Sequence, residues 1–421
     1  MKPKLHALHL SARVDAVEVS PTVATAARAT LLRTMGRDIL DFSVGEPDQG
    51  TPDPIKQAAT AAMSRGETRY VPSLGIPALR QAVAERYRLD DGVSFDAMEV
   101  AITLGGKQAY ALACEALLDP GDEVVIPTPF WPTFSEAPRL FGGVPVFAPL
   151  DGASGFAFDP ERILKKVRRK TRILVINSPS NPTGAVVSEK ALIEIARGLK
   201  AKAPDAFLLY DDTYARMRYV ENHPRMLARV RRILGDRMMI AGTASKTYCM
   251  TGWRIGWLLA PKPVIHGLSA LISHQTQCAA SFAQFGAVEA LTGSQEFIGE
   301  LVDEYRARRD LVVDALNAIP GISCRAPAGA FYAFPDISGL LSKTVPDALT
   351  FAARLLDEQG VAVVAGEGFG CPGYIRISFA RSQDELRRGI AALRKFVDSL
   401  RYDPHEGARE LPILRRRKKP R

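Results

Sequence analysis

The chain has 421 residues, of which 47% are hydrophobic and 24% are charged, a balance that is ordinary for globular proteins and long enough for two domains. No run approaches the roughly 20 unbroken apolar residues of a membrane span, so the composition excludes a transmembrane helix. The first residues, Met-Lys-Pro-Lys-Leu-His, lack the apolar run of a secretory signal, and we therefore expect a cytoplasmic protein.

The net charge of +9 is concentrated near the end of the chain. Residues 401–421 contain eight basic and three acidic residues, so they supply five of the nine net positive charges. The basic run 415–419 can bind phosphate backbones nonspecifically, but solvated basic runs are commoner, and we expect no nucleic-acid partner. The five cysteines are far apart and form no C-x-x-C pair, which argues against a disulfide framework and against a metal site.

The first part of the chain is predicted to form an arm and then an α/β domain. Residues 1–50 are assigned to an N-terminal arm and part of a small domain, with a helix over 21–37 and a strand over 39–43. From 51 to 295, helical patterns alternate with short apolar runs at 100–104, 123–126, 144–147, 173–176, 207–210 and 238–241. This alternation predicts a large α/β domain whose mostly parallel central sheet is flanked by helices.

The last part of the chain is predicted to form a smaller α+β domain over residues 296–400. A long helical stretch over 281–319 leads into it, and after Pro320 the pattern becomes strand, helix, strand, helix. These four elements are predicted at residues 331–334, 350–359, 361–364 and 382–400. The basic tail, 401–421, is predicted to lack a stable fold.

Reactive groups in open parallel sheets collect at the carboxyl ends of the strands. Here the apolar runs are followed by Gly105-Gly106-Lys107-Gln108, by Trp131, by Asn181 and by Asp211 with Tyr214. Glycines at a helix start let backbone N–H groups approach an anion. Taken one by one, however, the tryptophan can be a core residue, the asparagine part of a turn and the aspartate a helix cap.

The run at 238–241 is followed by Thr243-Ala244-Ser245-Lys246. A lysine between small residues after a buried strand is a candidate imine-forming amine, because burial disfavours its charged form. Arg254, eight residues further on, supplies a planar cation suited to a phosphate dianion.

Three spaced motifs carry a family resemblance: Ser245-Lys246 with Thr251-Gly252-Trp253-Arg254-Ile255-Gly256, Asn181-Pro182-Thr183-Gly184, and Asp211-x-x-Tyr214. Over about residues 10–400 the chain resembles class I/II aminotransferases of the fold-type-I pyridoxal-phosphate superfamily, above all the bacterial aspartate aminotransferase branch. The resemblance implies pyridoxal 5′-phosphate as cofactor and a ping-pong transfer of an amino group between an L-amino acid and a 2-oxo acid.

The resemblance also implies a role for each matching residue. Lys246 would form the Schiff base with the cofactor and move the substrate proton, Asp211 would pair with the pyridine nitrogen, and Tyr214 and Asn181 would bind the ring oxygen. Trp131 would stack on the ring. The groups implied for the phosphate are Arg254, Thr243, the backbone at Gly106 and Lys107, and Tyr70 from the neighbouring subunit of a homodimer.

For the substrate, the resemblance implies that Arg376 grips the α-carboxylate, with Gly45, Trp131 and Asn181 nearby. Lys107 matches a lysine that meets the distal carboxylate of aspartate or glutamate, and some members of that branch also accept prephenate. The same lysine could instead lie beside the cofactor phosphate.

Alternatives stay open because His274 and Cys278 depart from the branch pattern. They include aminotransferases for aromatic, branched or basic amino acids and fold-type-I lyases, which share the lysine, aspartate and arginine. A regulatory protein with an aminotransferase-like body is disfavoured, since the ~45 residues before the Gly45 turn leave little room for a helix-turn-helix domain.

Overall fold

The computed structural model describes residues 10–220 and 226–401. The predictions made for the first nine residues and for the tail after residue 401 lie outside this part of the chain. Across the described ranges, no helix is both long and apolar enough to cross a membrane.

The helices, in chain order, are α1 Ala12–Asp15, α2 Pro21–Thr34, α3 Asp53–Ser64, α4 Pro77–Asp91, α5 Gly106–Leu117, α6 Thr133–Leu140, α7 Pro160–Leu164, α8 Glu189–Lys202, α9 Met226–Leu234, α10 Lys262–Gln275, α11 Ser281–Thr292, α12 Glu296–Asn317, α13 Ala348–Gln359 and α14 Gln383–Arg401. The strands are β1 Leu40–Asp41, β2 Val100–Thr103, β3 Glu123–Thr128, β4 Val144–Pro149, β5 Thr171–Asn177, β6 Phe207–Asp211, β7 Met238–Thr243, β8 Gly256–Leu259, β9 Tyr332–Ala333, β10 Val361–Ala362, β11 Val364–Ala365 and β12 Ile375–Ser378.

Seven strands form the central sheet in the order β2-β8-β7-β6-β5-β3-β4. The pairs from β7 through β4 are parallel, whereas β8 pairs antiparallel with both β2 and β7. All six apolar runs predicted as strands lie in this sheet. The strand β8 was not predicted, because its first residue, Gly256, is also the last residue of the motif, and no turn signal separates the strand from that motif.

Both faces of the sheet are covered, which explains why its strands are continuous apolar runs. Successive side chains of a strand point to opposite faces. In β5, Leu174 and Ile176 therefore belong to one buried cluster, and Ile173 and Val175 belong to another on the opposite face. The helices that pack on the two faces leave the carboxyl ends of the strands free to form a site.

A separate buried cluster surrounds the small antiparallel sheet β11-β12-β9. It includes Phe331, directly before β9, together with Phe351 of α13 and Phe396 of α14. A two-stranded parallel pair of β1 with β10 ties the N-terminal arm to this part of the molecule. The proposed boundaries at residues 50, 295 and 400 stay predictions.

Two element predictions were wrong in detail. The helical stretch 281–319 is two helices, α11 and α12, because the chain turns extended at Gly293 and the Gln295 amide donates to the carbonyls of Ala290 and Gly293, each at 2.9 Å. The single strand expected at 361–364 is two strands that change partner at Val363. β10 pairs with β1, and β11 pairs with β12.

Candidate active site

A cavity of about 250 Å³ opens at the carboxyl ends of the central strands. Its walls contain eleven of the twelve residues predicted for the site: Gly45, Gly106, Lys107, Trp131, Asn181, Asp211, Tyr214, Thr243, Lys246, Arg254 and Arg376. The twelfth, Tyr70, lies outside this cavity and is 84% exposed. The structure therefore brings together residues from the ends of five strands, from the loop before β8 and from two further segments, up to 331 positions apart in the sequence.

Lys246 follows β7 and its Nζ donates a hydrogen bond to the carbonyl of Gly45 at 2.7 Å. Burial lowers the pKa of this amine to about 8, and the cations Arg254 and Arg376 act in the same direction, while Glu46 opposes them. Near neutral pH a useful fraction of the amine is thus uncharged. A neutral amine is the form that attacks a carbonyl group.

Asp211 ends β6 and is only 3% exposed. Its Oδ1 accepts hydrogen bonds from the Thr213 backbone N–H at 3.0 Å and from the Asn177 amide at 3.2 Å. Burial nevertheless raises the pKa of this carboxyl to about 6. Within the described ranges, no arginine or lysine forms an ion pair with Asp211, so a cation bound in the cavity would restore its ordinary acidity.

Arg376 lies on β12 and is 1% exposed. One terminal nitrogen donates to Asn181 Oδ1 at 2.9 Å, and the other donates to the carbonyl of Ser43 at 2.5 Å. Its Nε has no partner in the described part of the chain. A buried guanidinium with an unmatched donor is a binding point for a planar anion such as a carboxylate.

Another part of the cavity wall has the features of an anion-binding site. Gly105 has φ +83 and lets the chain turn into α5, whose first residue is Gly106. Arg254 lies against this turn, where its guanidinium donates to the carbonyls of Leu104 at 3.0 Å and Thr251 at 2.8 Å. The free N–H groups of a helix start and a neighbouring arginine together favour a phosphate.

Lys107 and Trp131 both line the cavity and lie close together. The Lys107 Nζ lies 5.2 Å from the centroid of the Trp131 ring, within the range of a cation–π contact. Partial burial and the nearby Arg254 lower the Lys107 pKa. The lysine is therefore placed between the anion site and the tryptophan.

The sequence pattern of the family described as aminotransferase class I and II matches residues 37–393. The chain belongs to this family. Membership of this family confirms that the chain is a transaminase, and the similar solved structures confirm the predicted fold-type-I α/β architecture.

Curated relatives of this aminotransferase match it over nearly their whole length. An aspartate aminotransferase of Streptomyces avermitilis is 39% identical over 394 residues, which are 92% of this chain and 96% of the relative. An aspartate/prephenate aminotransferase of Thermus thermophilus is 40% identical over 384 residues, 90% of this chain and 97% of the relative. The structure of a Thermus thermophilus aspartate aminotransferase with maleate has a TM-score of 0.87 at 38% identity, covering 92% of this chain and all of that one.

The residues of this aminotransferase fit pyridoxal phosphate, the cofactor of its family. The cavity offers a partly deprotonated amine, a buried carboxylate that has no ion pair among the described residues, and a helix start with an arginine. These three groups match the aldehyde, the protonated ring nitrogen and the phosphate of that cofactor.

Sequence reasoning missed several wall residues of this aminotransferase. Asn177 ends β5 and bonds Asp211, and the same strand-end rule that selected Asn181 could have found it. Tyr332 sits in an apolar strand of the small sheet, where nothing local distinguishes it from a core residue. Thr22 and Val23 of α2 and Ser20 just before it also line the cavity.

His274, by contrast, lies exposed near the end of α10, away from the cavity wall.

Proposed function

We propose that this aminotransferase binds pyridoxal 5′-phosphate in the cavity and exchanges amino groups between aspartate or glutamate and the matching 2-oxo acids, oxaloacetate and 2-oxoglutarate. The observation that carries the proposal is the grouping of Lys246, Asp211 and Arg376 around one cavity. The relatives named as aspartate and aspartate/prephenate aminotransferases support the choice of a dicarboxylate.

The cofactor would supply an electron sink for the negative charge that develops when the substrate α-carbon loses its proton. Lys246 would hold the cofactor through its Nζ, and the same Nζ, when free, would take up that proton and return it. Asp211 would keep the ring nitrogen protonated. Tyr214 and Asn181 would donate hydrogen bonds to the ring oxygen, and Trp131 would cover the ring face.

The anion site at α5 would hold the cofactor phosphate. Arg254 would supply the positive charge, and the Thr243 hydroxyl and the backbone at Gly106 and Lys107 would supply further donors. Because Gly105 and Gly106 have no side chains, the phosphate can come close to the backbone there. Fixing the phosphate there orients the reactive end of the cofactor toward Lys246.

Substrate recognition would use two cations. Arg376 takes the α-carboxylate, and its buried position makes that contact strong because little water competes. Lys107, beside Trp131, meets the distal carboxylate of the substrate. The apolar wall residues Val23 and Phe134 favour aromatic amino acids as the second candidate substrates.

Tyr70 would complete the site from a second subunit of a homodimer. Its side chain is 84% exposed on one chain and lies away from that chain's own cavity. An exposed tyrosine of this kind is free to reach a partner's phosphate and would explain why the single chain leaves it unburied.

A half-reaction scan tests the proposal. Protein loaded with pyridoxal phosphate is mixed with one amino acid at a time while its absorbance is recorded, and a matched 2-oxo acid is then added to reverse the change. We expect rapid conversion by aspartate and glutamate. Conversion by aromatic or basic amino acids alone would reassign the pocket, and more than one equivalent of product per site in the absence of any 2-oxo acid acceptor would indicate a lyase.

A further inference from the structure

Tyr332 touches three parts of the cavity at once. Its side chain is 1% exposed, and its hydroxyl lies 2.7 Å from the hydroxyl of Tyr214. Its ring lies 4.5 Å from the guanidinium carbon of Arg376. Its hydroxyl also packs against Gly45, since a Cβ added at Gly45 would lie 2.2 Å from that oxygen.

The small sheet produces this arrangement through its register. Ser378 of β12 stands opposite Tyr332 of β9, and Arg376 lies two residues before Ser378 on the same face of β12. Tyr332 and Arg376 are therefore diagonal neighbours on one face of the sheet, at a separation that long side chains can bridge. The aromatic ring of Phe369, 5.0 Å from the same guanidinium carbon, adds a second ring contact.

We propose that Tyr332 is a positioning residue that links Tyr214, on the cofactor side of the cavity, to Arg376, on the carboxylate side. This inference rests on the proposed function for what the two partners bind. It assigns separate tasks to the hydroxyl and to the ring of one side chain.

The hydroxyl orients the proton of Tyr214. When Tyr332 donates to the Tyr214 oxygen, the Tyr214 proton points away from that bond and toward the cavity. Burial raises the pKa of both hydroxyls, so each keeps its proton across the physiological range. Tyr214 then acts as a donor toward the ring oxygen of the cofactor, and the bond from Tyr332 strengthens that donor.

The ring holds the guanidinium in place. The two terminal nitrogens of Arg376 are fixed by Asn181 and by the carbonyl of Ser43, and the ring of Tyr332 lies within cation–π range of the guanidinium carbon. Rotation of the guanidinium out of this position would lose all three contacts. The α-carboxylate of a substrate therefore meets a preorganised donor.

Two substitutions separate the two tasks. In the loaded protein, Tyr332→Phe keeps the ring, so the dissociation constant for maleate, a non-reacting dicarboxylate, should stay within about threefold of the wild-type value. The pH at which the bound cofactor changes its absorbance should rise, and kcat should fall more than KM changes. Tyr332→Leu removes the ring as well, and it should weaken maleate binding by about tenfold or more.

Tyr219→Phe is the matched control, because it removes a partly buried tyrosine hydroxyl that donates to the carbonyl of Ala330, outside the cavity. It should leave the maleate constant and the absorbance midpoint unchanged. An unmoved midpoint in Tyr332→Phe, or unweakened maleate binding in Tyr332→Leu, would overturn the inference.

A double-mutant cycle, measured by thermal unfolding of the cofactor-free protein, tests the contact between Gly45 and the Tyr332 hydroxyl without any assumption about the substrate. Gly45→Ala places a methyl group against the Tyr332 hydroxyl and should lower the unfolding temperature. Tyr332→Phe removes that oxygen, so the fall in unfolding temperature of the double variant should be smaller than the sum of the falls in the two single variants. Strict additivity would contradict the contact. This cycle needs neither cofactor nor turnover. A failed half-reaction scan would therefore refute the proposed function, while the cycle would still show whether the contact exists.

Discussion

At the scale of single residues, Lys246 illustrates how burial prepares an amine for its task. Its pKa falls to about 8 mainly because the cavity wall removes water from the ammonium group. The neutral fraction therefore drops about tenfold for each pH unit below that value. Capture of pyridoxal phosphate by the cofactor-free protein should slow by the same factor as the pH falls and should level off above pH 8, as measured by stopped-flow absorbance.

Glu46 provides a test of the sign of this effect. Its carboxylate raises the Lys246 pKa, so Glu46→Gln should move the midpoint of cofactor capture to lower pH and make capture faster at pH 7. Asp48→Asn, a charge change two residues away on the same segment, is the control. A midpoint that rises in Glu46→Gln would show that Glu46 does not act on the lysine through its charge.

Arg376 is predicted to act through the shape of its side chain as well as its charge. Arg376→Lys keeps a cation but loses the planar pair of donors, so KM for the amino acid should rise roughly 10- to 100-fold while kcat changes less. Arg381→Lys, on the same segment with its Nε on the carbonyl of Asp41, is the control. Equal losses in kcat and in kcat/KM would place the contact in the transition state alone.

Sequence reasoning was strongest for residues whose type is unusual in its setting. Lys246 and Asp211 lie at or just beyond the end of a buried strand, and although Asp211 alone could have been a helix cap, the spaced motifs that contain both residues allowed them to be selected before the fold was known. Tyr332 could not, because its neighbours Phe331 and Ala333 make it look like one more core position. Its contacts depend on the register between β9 and β12, which local sequence does not encode.

At the scale of elements, the turn into α5 depends on a backbone contact. A Cβ at Gly256 would lie 2.5 to 2.7 Å from backbone atoms of Gly105 and Gly106, and backbone cannot move aside cheaply. Gly256→Ala should destabilise the protein by about 1–3 kcal/mol through overpacking, and it should weaken cofactor binding because the anion site shifts.

Gly252→Ala is the control for that element, since nothing lies within 4 Å of the added methyl group. Its unfolding temperature and its cofactor affinity should match the wild-type values. Comparable losses in both variants would show that the spacing of β8 from α5 does not govern the anion site.

The two element predictions that were wrong, the single helix over 281–319 and the single strand over 361–364, each have a physical cause. The break between α11 and α12 is stabilised by the Gln295 side chain, and a capping amide of this kind is invisible to apolar periodicity. The division at Val363 arises because the chain pairs first with β1 and then with β12. Tertiary pairing, rather than the run of valines and alanines, decides where each strand ends.

At the scale of the whole molecule, the alternation of apolar runs and helical patterns was sufficient to predict the parallel sheet and the edge at which the site lies. The antiparallel strand β8 and the N-terminal reach of Ser20 and Val23 into the cavity required the full structure. Both depend on contacts between segments that are far apart in sequence.

The proposed homodimer makes a prediction that belongs to this scale. Tyr70→Ala should weaken cofactor binding, and Lys246→Ala should abolish covalent attachment. In hybrids of the two variants, the site with an intact Lys246 receives an intact Tyr70, so after equal mixing about half of the Lys246-containing sites should regain wild-type cofactor affinity. Cofactor titration of the mixture measures this, and affinity equal to that of Tyr70→Ala alone would place Tyr70 outside the partner's site.

The most direct test of the central claim is to reduce the bond between protein and pyridoxal phosphate with borohydride and to map the labelled peptide by mass spectrometry. The structure predicts that the label lies on Lys246 and that Lys246→Ala carries none, whereas Lys262→Ala, which alters an exposed lysine beside Asp96, is labelled normally. Label on Lys107 or on another lysine, or no stable label at all, would contradict the assignment of this cavity as the cofactor site.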